Sequence, residues 1–600
     1  MPEHGPAGGE PAFPGGQRLE GHGNLNNSAD RNFTGKSGET QGMLNKPAVS
    51  RKDWLVVSLL CAGYAGMWGY LSLARHLGLR SFYADTGMYA NYIWNLAAAY
   101  RDFLGFPFPG SEGFNHLALS LNEFGSHADP IIILLAVPYA LFPDPITIYV
   151  LQALAIASGG IAVFLLARRA GLPRAASYFS VIAFFLYPPL EWAHLYECNP
   201  VKFSIPFLLF AVYFLEEERY GVFALLLFSA GLCKEHLPLV MTLGGILLLL
   251  RRKWKWGALL FFVGLIWFFI NFEVLIPAFH AGKGHVYIVT AHGSSSRYNW
   301  LGGSVIEIIK NIIIHPLRVS SYVFNGFHLR YYADLLFPLL CLPLFRPDIL
   351  LLALPGFLAN SLSTNLMTST IYFYHSAETI PFLIMGYILV WGWIFRRGNP
   401  LARKIIPVVI LANALAWNIF SVPRILEAPA APSPLSYRFH WKDYQVLPRD
   451  LRIREVARLV PPGASLSVQG NLGPHLANRS LVGEFPGNAR EADFILVGLF
   501  NPWGGENWET FTFANHFSVD FLTTLVSEFE SGNREVAYGR DGYLLLRKGK
   551  GEFQGEKAFL APEINLFIQQ LRIGLKPSPH KLPDYWKPSD LLSSPLGGKD

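Results

Sequence analysis

Long apolar stretches recur along the chain, and their lengths match the hydrocarbon core of a lipid bilayer. The first covers residues 54–75, which is enough helix to cross a core of about 30 Å. Of the 600 residues, 51% are hydrophobic and only 15% are charged, so a soluble fold would have too little polar surface to cover itself. The sequence therefore predicts an all-α polytopic membrane protein.

Basic residues are concentrated in alternate short loops between the apolar stretches. The three clusters are Arg168, Arg169 and Arg174; Arg251, Arg252, Lys253 and Lys255; and Arg396, Arg397, Arg403 and Lys404. Because cytoplasmic loops are enriched in Lys and Arg, we expect these clusters and the N-terminus to be cytoplasmic in a multi-pass protein of the plasma membrane. These cytoplasmic clusters account for much of the net charge of +6, so the charge reflects the membrane topology. We therefore expect no nucleic-acid partner.

The spacing of the apolar stretches predicts about eleven transmembrane helices. The segment 131–142 has only 12 residues before Pro143-Asp144-Pro145, so we expect it to be a re-entrant or interfacial helix. After the first stretch, which we expect to act as an uncleaved signal anchor, further spans are expected at 146–167, 175–190, 202–216, 220–234, 237–250, 256–277, 331–345, 349–363, 378–395 and 405–421.

The remaining segments differ in composition from the apolar core. Residues 1–50 are predicted to form a disordered cytoplasmic tail, and residues 575–600 a loose tail. The transmembrane domain is expected over 51–425, with outer loops at 76–130 and 278–330. Strands are predicted at 465–468, 492–497 and 542–546 and helices at 455–460 and 521–529, so residues 440–548 are expected to form a small extracytoplasmic α/β domain.

The junctions expected outside carry most of the groups that could do chemistry. Ionisable groups at membrane depth are costly, so their recurrence at one level predicts a functional site. The candidates are Asp85, His127, Asp129, Glu197, Asn199, Lys234, Glu235, His236, Arg297, Tyr374 and His375. Glu191, His194 and Glu378 belong to the same turns, and Lys283, His285 and Tyr298 belong to the long outer loop.

Each candidate also has a plainer structural interpretation. Asp85 could simply cap the helix that follows it, or it could accept a proton from a hydroxyl. Lys234 and Glu235 could neutralise each other in a helix hairpin, or Lys234 could bind a phosphate with Glu235 orienting it.

Two further groups of candidates also have both a structural and a functional interpretation. The turn containing Glu191 and Glu197 is slightly more typical of a solvated loop. His127 and Asp129 could bind sugar hydroxyls or a divalent cation, but two residues are too few to assign a metal site.

Several short segments resemble a known family. They are Tyr83-Ala84-Asp85-Thr86-Gly87 with Ile93-Trp94-Asn95, Phe124-Gly125-Ser126-His127 leading into Pro130, Cys233-Lys234-Glu235, and Tyr374-His375 before Pro381-Phe382. With them the chain resembles the domain of unknown function 2079 (DUF2079) family, which is similar to the GT-C superfamily of polyprenyl-phosphate-dependent glycosyltransferases. One departure is Glu197-Cys198-Asn199-Pro200, where a histidine is expected in the family.

The resemblance implies a GT-C-like fold and an activity. Asp85 would be the catalytic carboxylate, and the partners would be membrane lipid and a polyprenyl-phosphate-linked sugar whose phosphate lies near Lys234, Arg297 or Arg330. We therefore expect an inverting glycosyltransferase at the outer face of the plasma membrane, with Asp85 as general base. The alternatives are a transporter or flippase of a lipid-linked saccharide, and a non-catalytic GT-C relative.

Overall fold

The computed structural model describes residues 49–109, 111–289, 297–420, 433–436, 439–498, 521, 524–525, 527–528 and 531–549. The tails expected at 1–50 and 575–600 lie outside the described residues, except for residues 49 and 50. Within the helix expected at 521–529, residues 522, 523, 526 and 529 also lie outside them, and the five described residues are helical.

Helices make up most of the described chain. Up to the long outer loop they are α1 (Arg51–Leu77), α2 (Met88–Phe103), α3 (His116–Leu121), α4 (Ile131–Leu141), α5 (Pro145–Arg169), α6 (Arg174–Phe185), α7 (Pro188–Leu195), α8 (Ser204–Glu216), α9 (Tyr220–Gly231), α10 (Pro238–Leu250), α11 (Trp254–Phe269) and α12 (Ile276–Phe279). The later helices are α13 (Val286–Val289), α14 (Val305–Ile314), α15 (Pro316–Val323), α16 (Gly326–Leu336), α17 (Pro347–Ser361), α18 (Ile380–Arg397), α19 (Pro400–Phe420), α20 (Pro448–Leu451) and α21 (Ile453–Arg458).

Tighter and wider helical turns connect these elements. The π-helical turns are Tyr83–Gly87 and Ile270–Leu275. The 3₁₀ turns are Asn122–Gly125, Pro200–Phe203, Phe337–Leu339, Leu342–Phe345, Leu366–Ser369, Tyr374–Ser376, Trp441–Tyr444 and Gly473–Leu476.

Among the described residues, five helical segments are long and apolar enough to cross a membrane. They are α1, α5, the continuous run Trp254–Phe279, α18 and α19. Five more, α4, α6, α9, α10 and α17, are apolar but have 10–17 residues. The prediction of a mostly helical membrane protein is confirmed, whereas the count of eleven spans is not.

The span predicted at 331–345 is wrong as a single helix. Helix α16 ends at Leu336, and Leu340 and Cys341 have φ values of 53° and 54°, in the left-handed region. Pro338 and Pro343 lack the N–H that would continue the helical hydrogen bonds, so the segment breaks into two 3₁₀ turns.

Local hydrogen bonds explain where the first long helices begin. Ser50 and Asp53 form a capping box at the start of α1, and Asp53 also accepts hydrogen bonds from Arg174 Nε (3.0 Å) and Tyr178 OH (2.5 Å) on α6. Helix α5 begins with the Asp144 side chain accepting from Ile146 N at 2.9 Å, with Pro145 at the first helical position. These contacts tie α1 to α6 and place the start of α5.

The basic loops meet at one end of the helical bundle, which we call the basic end. Arg169 pairs with Glu217 at 2.8 Å, joining the ends of α5 and α8. Arg251, after α10, pairs with Glu216 at 3.1 Å and with Asp348 of α17 at 2.8 Å. Helices α8, α10 and α18 all run toward this end, so the residues just before their first turns lie at the other end.

Helices α10 and α11 pack unusually close to each other. A Cβ atom added at Gly245 of α10 would lie 2.4 Å from the backbone N of Phe261 on α11. Only glycine allows the two backbones to approach so closely. This contact fixes the direction of α10, whose N-terminal end follows the Lys234-Glu235-His236 turn.

The C-terminal part contains a five-stranded mixed sheet. The strands are β1 (Leu466–Val468), β2 (Val482–Glu484), β3 (Phe494–Gly498), β4 (Arg534–Arg540) and β5 (Tyr543–Lys548), in the order β2-β1-β3-β5-β4. Strand β1 is parallel to β2 and β3, whereas β5 is antiparallel to β3 and β4. The three strands expected from sequence overlap β1, β3 and β5.

This sheet region is in direct contact with the first segment after α1. Leu79 is completely buried in the same apolar cluster as Ile453, Leu466 and Val468. Tyr83 donates from its backbone N to Gly470 O (2.7 Å) and from its hydroxyl to Val482 O (2.9 Å). The π-helical turn Tyr83–Gly87 is therefore held between the helical bundle and the sheet.

Candidate functional site

Asp85 lies in the π-helical turn between α1 and α2, half-buried, with its carboxylate held by two donors. Tyr196 OH donates to Oδ2 at 3.1 Å and Asn199 Nδ2 donates to Oδ1 at 3.2 Å. The N-cap position of α2 is Gly87, and no side chain caps that helix, so the helix-capping interpretation of Asp85 is wrong. The carboxylate instead points toward the loop that precedes α8.

Burial dominates the electrostatics at Asp85. It raises the pKa of the carboxyl above the ordinary value for an aspartic acid. The bonds from Tyr196 and Asn199 and the charges of Lys202 and Lys234 act in the opposite direction. Asp85 is therefore more basic than an exposed aspartate, and Lys234 lies within electrostatic range of it.

Glu197 anchors the turn that carries Asp85. Its carboxylate accepts hydrogen bonds from Phe82 N at 2.9 Å and from Thr86 N (3.3 Å) and Oγ1 (2.7 Å). Burial, together with the nearby charge of Asp85, raises the pKa of Glu197 to about 7. With its oxygens engaged in this way, Glu197 positions Asp85 rather than facing a ligand directly.

The turn before α8 is part of the protein interior. Glu191, His194, Glu197 and Asn199 have exposed fractions of 1%, 0%, 6% and 2%. The slightly favoured interpretation of this turn as a solvated loop is therefore wrong. Lys202, which follows the turn, is completely buried, and its ammonium group donates to the carbonyl oxygens of Tyr196 and Glu197.

A second group of residues surrounds Glu235, in the turn between α9 and α10. His127 Nδ1 lies 3.2 Å and His285 Nε2 lies 3.3 Å from the same oxygen, Glu235 Oε1. Lys234 Nζ is 3.9 Å from the other oxygen, Oε2. The contacts of Glu235 with the two histidines are therefore shorter than its contact with Lys234. Two imidazole nitrogens and a carboxylate oxygen are donors of the type that divalent metal ions take.

Two further carboxylates are buried beside this group. Glu123 and Asp129 are completely buried. Among the described residues, no donor has ordinary hydrogen-bond geometry to their carboxylate oxygens, although the Tyr89 hydroxyl is close to both. Burial raises the pKa of Asp129 to about 7 and that of Glu123 well above its ordinary value. Lys234 Nζ is likewise buried without a hydrogen-bond acceptor in the described part of the chain.

Aromatic rings connect the Asp85 group to the Glu235 group. Tyr374 packs against Tyr196 (ring centroids 5.5 Å apart) and against His375 (4.4 Å). On the other side, the Arg297 guanidinium lies 3.7 Å from the centre of the Tyr287 ring, which packs against His285. Tyr374 is within electrostatic range of Asp85, Arg297 and Glu235, so the two groups are neighbours.

The structure thus places the candidates predicted from sequence in four settings. Asp85, Glu197 and Asn199 form the first group, and His127, Asp129, Lys234 and Glu235 form the second. Arg297, Tyr374 and His375 line the aromatic connection. His236 instead pairs with Glu378, which precedes α18, through a 2.7 Å contact between Nε2 and Oε1.

Some residues of the site had little or no signal in the sequence. Glu123, Tyr196 and Lys202 were not predicted, because nothing in their local sequence distinguishes them. His285 was named only as part of the long outer loop, and its partner Glu235 is 50 positions earlier in the chain. A pairing at such separation is visible only in the folded protein.

Comparisons with known proteins identify a family. A family model described as a predicted membrane protein (DUF2079) matches residues 76–507, which is most of the chain. The matched range includes every candidate residue discussed above. The comparison with curated proteins found no match.

Proposed function

Because the chain belongs to the DUF2079 family of predicted membrane proteins, we propose a function from the chemistry of its own site. We propose that the protein is a GT-C-like membrane glycosyltransferase, which moves a sugar from a polyprenyl-phosphate donor to an acceptor hydroxyl. The observation that carries this proposal is the half-buried Asp85 carboxylate, held by Tyr196 and Asn199 in electrostatic range of the buried amine of Lys234.

In this proposal Asp85 acts as the general base. The acceptor hydroxyl gives its proton to a carboxylate oxygen as its own oxygen attacks the anomeric carbon. The bond between the anomeric carbon and the phosphate oxygen breaks in the same displacement, which inverts the anomeric configuration. Burial favours this role because it makes the carboxylate a stronger base than an exposed aspartate.

Lys234 is suited to the departing phosphate. Its ammonium group is buried, and among the described residues its nearest charged neighbour is a Glu235 oxygen 3.9 Å away. A preorganised cation in a site of low dielectric stabilises negative charge that develops on a leaving group. A phosphate leaves without strong acid assistance, so a second carboxylic acid is not required.

The position of the basic end supports an outward-facing site. The Asp85 and Glu235 groups lie at the end of the helices opposite the basic end, and basic loops are enriched on the cytoplasmic side. We therefore propose that the site and the sheet region face the outside of the plasma membrane. A lipid-linked sugar donor would reach such a site from the outer leaflet, with its lipid between the helices.

The proposal is tested by complementation in cells that lack the chromosomal gene. The envelope glycans of these cells should lack a sugar, as measured by mass spectrometry. The wild-type protein should restore that mass, whereas D85N should not restore it while reaching the membrane in normal amounts. Asp102, with a side chain 39% exposed at the end of α2, provides the matched control, and D102N should restore it.

Two results would contradict the enzyme. Restoration of the glycan by D85N would show that Asp85 is not the general base. An unchanged glycan together with a lipid-linked precursor held on the cytoplasmic side would instead identify a flippase.

A further inference from the structure

The Glu235 group contains three potential metal ligands in a compact arrangement. His127 Nδ1, His285 Nε2 and a Glu235 carboxylate oxygen all lie within 4.8 Å of one another. Ligand atoms that share an ion through metal–ligand bonds of about 2.0–2.2 Å lie about 3–4 Å from one another. The two histidine contacts to Glu235, at 3.2 and 3.3 Å, already fall in that range.

The surroundings of the three side chains are buried and aromatic. His127, Glu235 and His285 are 7%, 5% and 4% exposed. The His285 ring packs against Phe272 (5.5 Å) and Tyr287 (5.1 Å). Such packing fixes the orientation of the ligands and excludes competing water.

The charge of the neighbourhood is a second, independent observation. Glu123, Asp129 and Glu235 are three buried carboxylates that interact electrostatically with one another and with a single ammonium group, that of Lys234. Among the described residues, no donor has ordinary hydrogen-bond geometry to the carboxylate oxygens of Glu123 and Asp129, although the Tyr89 hydroxyl is close to both. Buried polar atoms of this kind are normally satisfied, and a nearby dication would favour the ionised forms of these carboxyls.

We propose that His127, Glu235 and His285 bind one divalent transition-metal ion, with Zn²⁺ the best match to the donors. Two imidazoles and one carboxylate form a donor set used by catalytic zinc sites, which leave a position open for water or substrate. The inference concerns metal binding alone and does not require the proposed sugar transfer.

Binding the ion requires a local rearrangement at His285. Tyr287 N donates to His285 Nδ1 at 3.1 Å, so the ring proton of a neutral His285 is on Nε2. When Nε2 binds the metal, the proton moves to Nδ1 and the bond from Tyr287 is released. No net proton is taken up or lost by the ring in this exchange.

Metal content of the full-length protein in detergent tests the proposal. Protein stripped with a chelator is dialysed against Zn²⁺ or Co²⁺, and metal per chain is measured by mass spectrometry, with the Co²⁺ visible spectrum as a second readout. We expect one ion per chain in the wild type and at least about a ten-fold loss of affinity in H127A, H285A and E235Q. H280A is the matched control, because His280 bonds to Gly284 O at 2.8 Å outside the group.

Thermal unfolding separates loss of the ligand from loss of the fold. Zn²⁺ should raise the Tm of the wild type and of H280A but not that of H285A or E235Q, with each variant compared with its own Tm without metal. Folded, monodisperse wild type that takes up no stoichiometric metal would overturn the proposal. Stoichiometric metal in both H285A and E235Q would overturn it as well. Neither result would affect the glycan experiment, which uses Asp85.

Discussion

At the residue scale, opposing influences determine the ionisation of Asp85. Burial raises its pKa, whereas the bonds from Tyr196 and Asn199 favour the charged form, and burial is the stronger effect. A general base works only when it is deprotonated. If Asp85 is the general base of the proposed sugar transfer, the transfer rate should therefore fall as the pH falls through a pKa above about 3.9, the ordinary value for aspartic acid.

Replacing Tyr196 by phenylalanine tests this balance directly. Y196F removes one bond to the Asp85 carboxylate at almost constant volume, so the pKa of Asp85 should rise further. Infrared titration of the carboxylic acid carbonyl band measures this without a substrate, and the band is assigned by its loss in D85N. E197Q removes the band of Glu197, whose pKa is about 7, and should leave the Asp85 band in place.

Two outcomes of this titration would contradict the description of Asp85. One is a midpoint at or below the ordinary aspartic acid value. The other is a downward shift of the midpoint in Y196F.

Some of these site residues could be predicted from the sequence, and others could not. Lys234 and Glu235 stand out because they interrupt two apolar stretches, and Asp85 because it precedes an aromatic helix. The burial of Glu197 and the pairing of His127 with Glu235, 108 positions apart, depend on tertiary packing. A charged residue in an apolar stretch can be predicted to belong to a functional site. The residues that it contacts are known only from the folded structure.

At the element scale, the close contact between α10 and α11 positions the turn that carries Glu235. The backbone of α11 lies where a side chain at Gly245 would have to go. G245A should therefore push the helices apart and cost about 1–3 kcal/mol, as overpacking does elsewhere. The loss is measured as a lower Tm of the protein in detergent.

A glycine with free space provides the control for this prediction. At Gly66 of α1, nothing lies within 4 Å of an added Cβ atom. G66A should be neutral or stabilise α1 slightly, by about 0.5–1 kcal/mol, since alanine favours helix more than glycine does. Equal effects of G66A and G245A would contradict the importance of the α10–α11 contact.

The elements also show why span counting from sequence was incomplete. Hydropathy detects apolar composition, and it identified α1, α5, α18 and α19 well. It cannot detect the left-handed residues Leu340 and Cys341, which break the segment expected at 331–345. Short helices such as α9 and α10 satisfy the hydropathy pattern but fall below the usual length of a span.

At the scale of the whole molecule, the chain separates its charges between two ends. The basic end is joined by Arg169–Glu217 and Arg251–Glu216 ion pairs, and the Asp85 and Glu235 groups occupy the other end. The sheet region is on the same side as Asp85, because Asn91 Nδ2 donates to Ala477 O at 2.8 Å and to Arg479 O at 2.7 Å. The sheet region therefore lies beside the elements that carry Asp85.

Site-directed labelling tests whether this end faces outward, the claim on which the proposed function depends. In a variant whose four native cysteines are replaced by alanine, single cysteines are introduced at Glu112 and Gly463, and at Lys255 and Lys404 near the basic end, all exposed positions. A membrane-impermeant maleimide added to intact cells should label the first two and reach the second two only after permeabilisation. Labelling of Lys255→Cys and Lys404→Cys in intact cells, with Glu112→Cys and Gly463→Cys protected, would contradict an outer site.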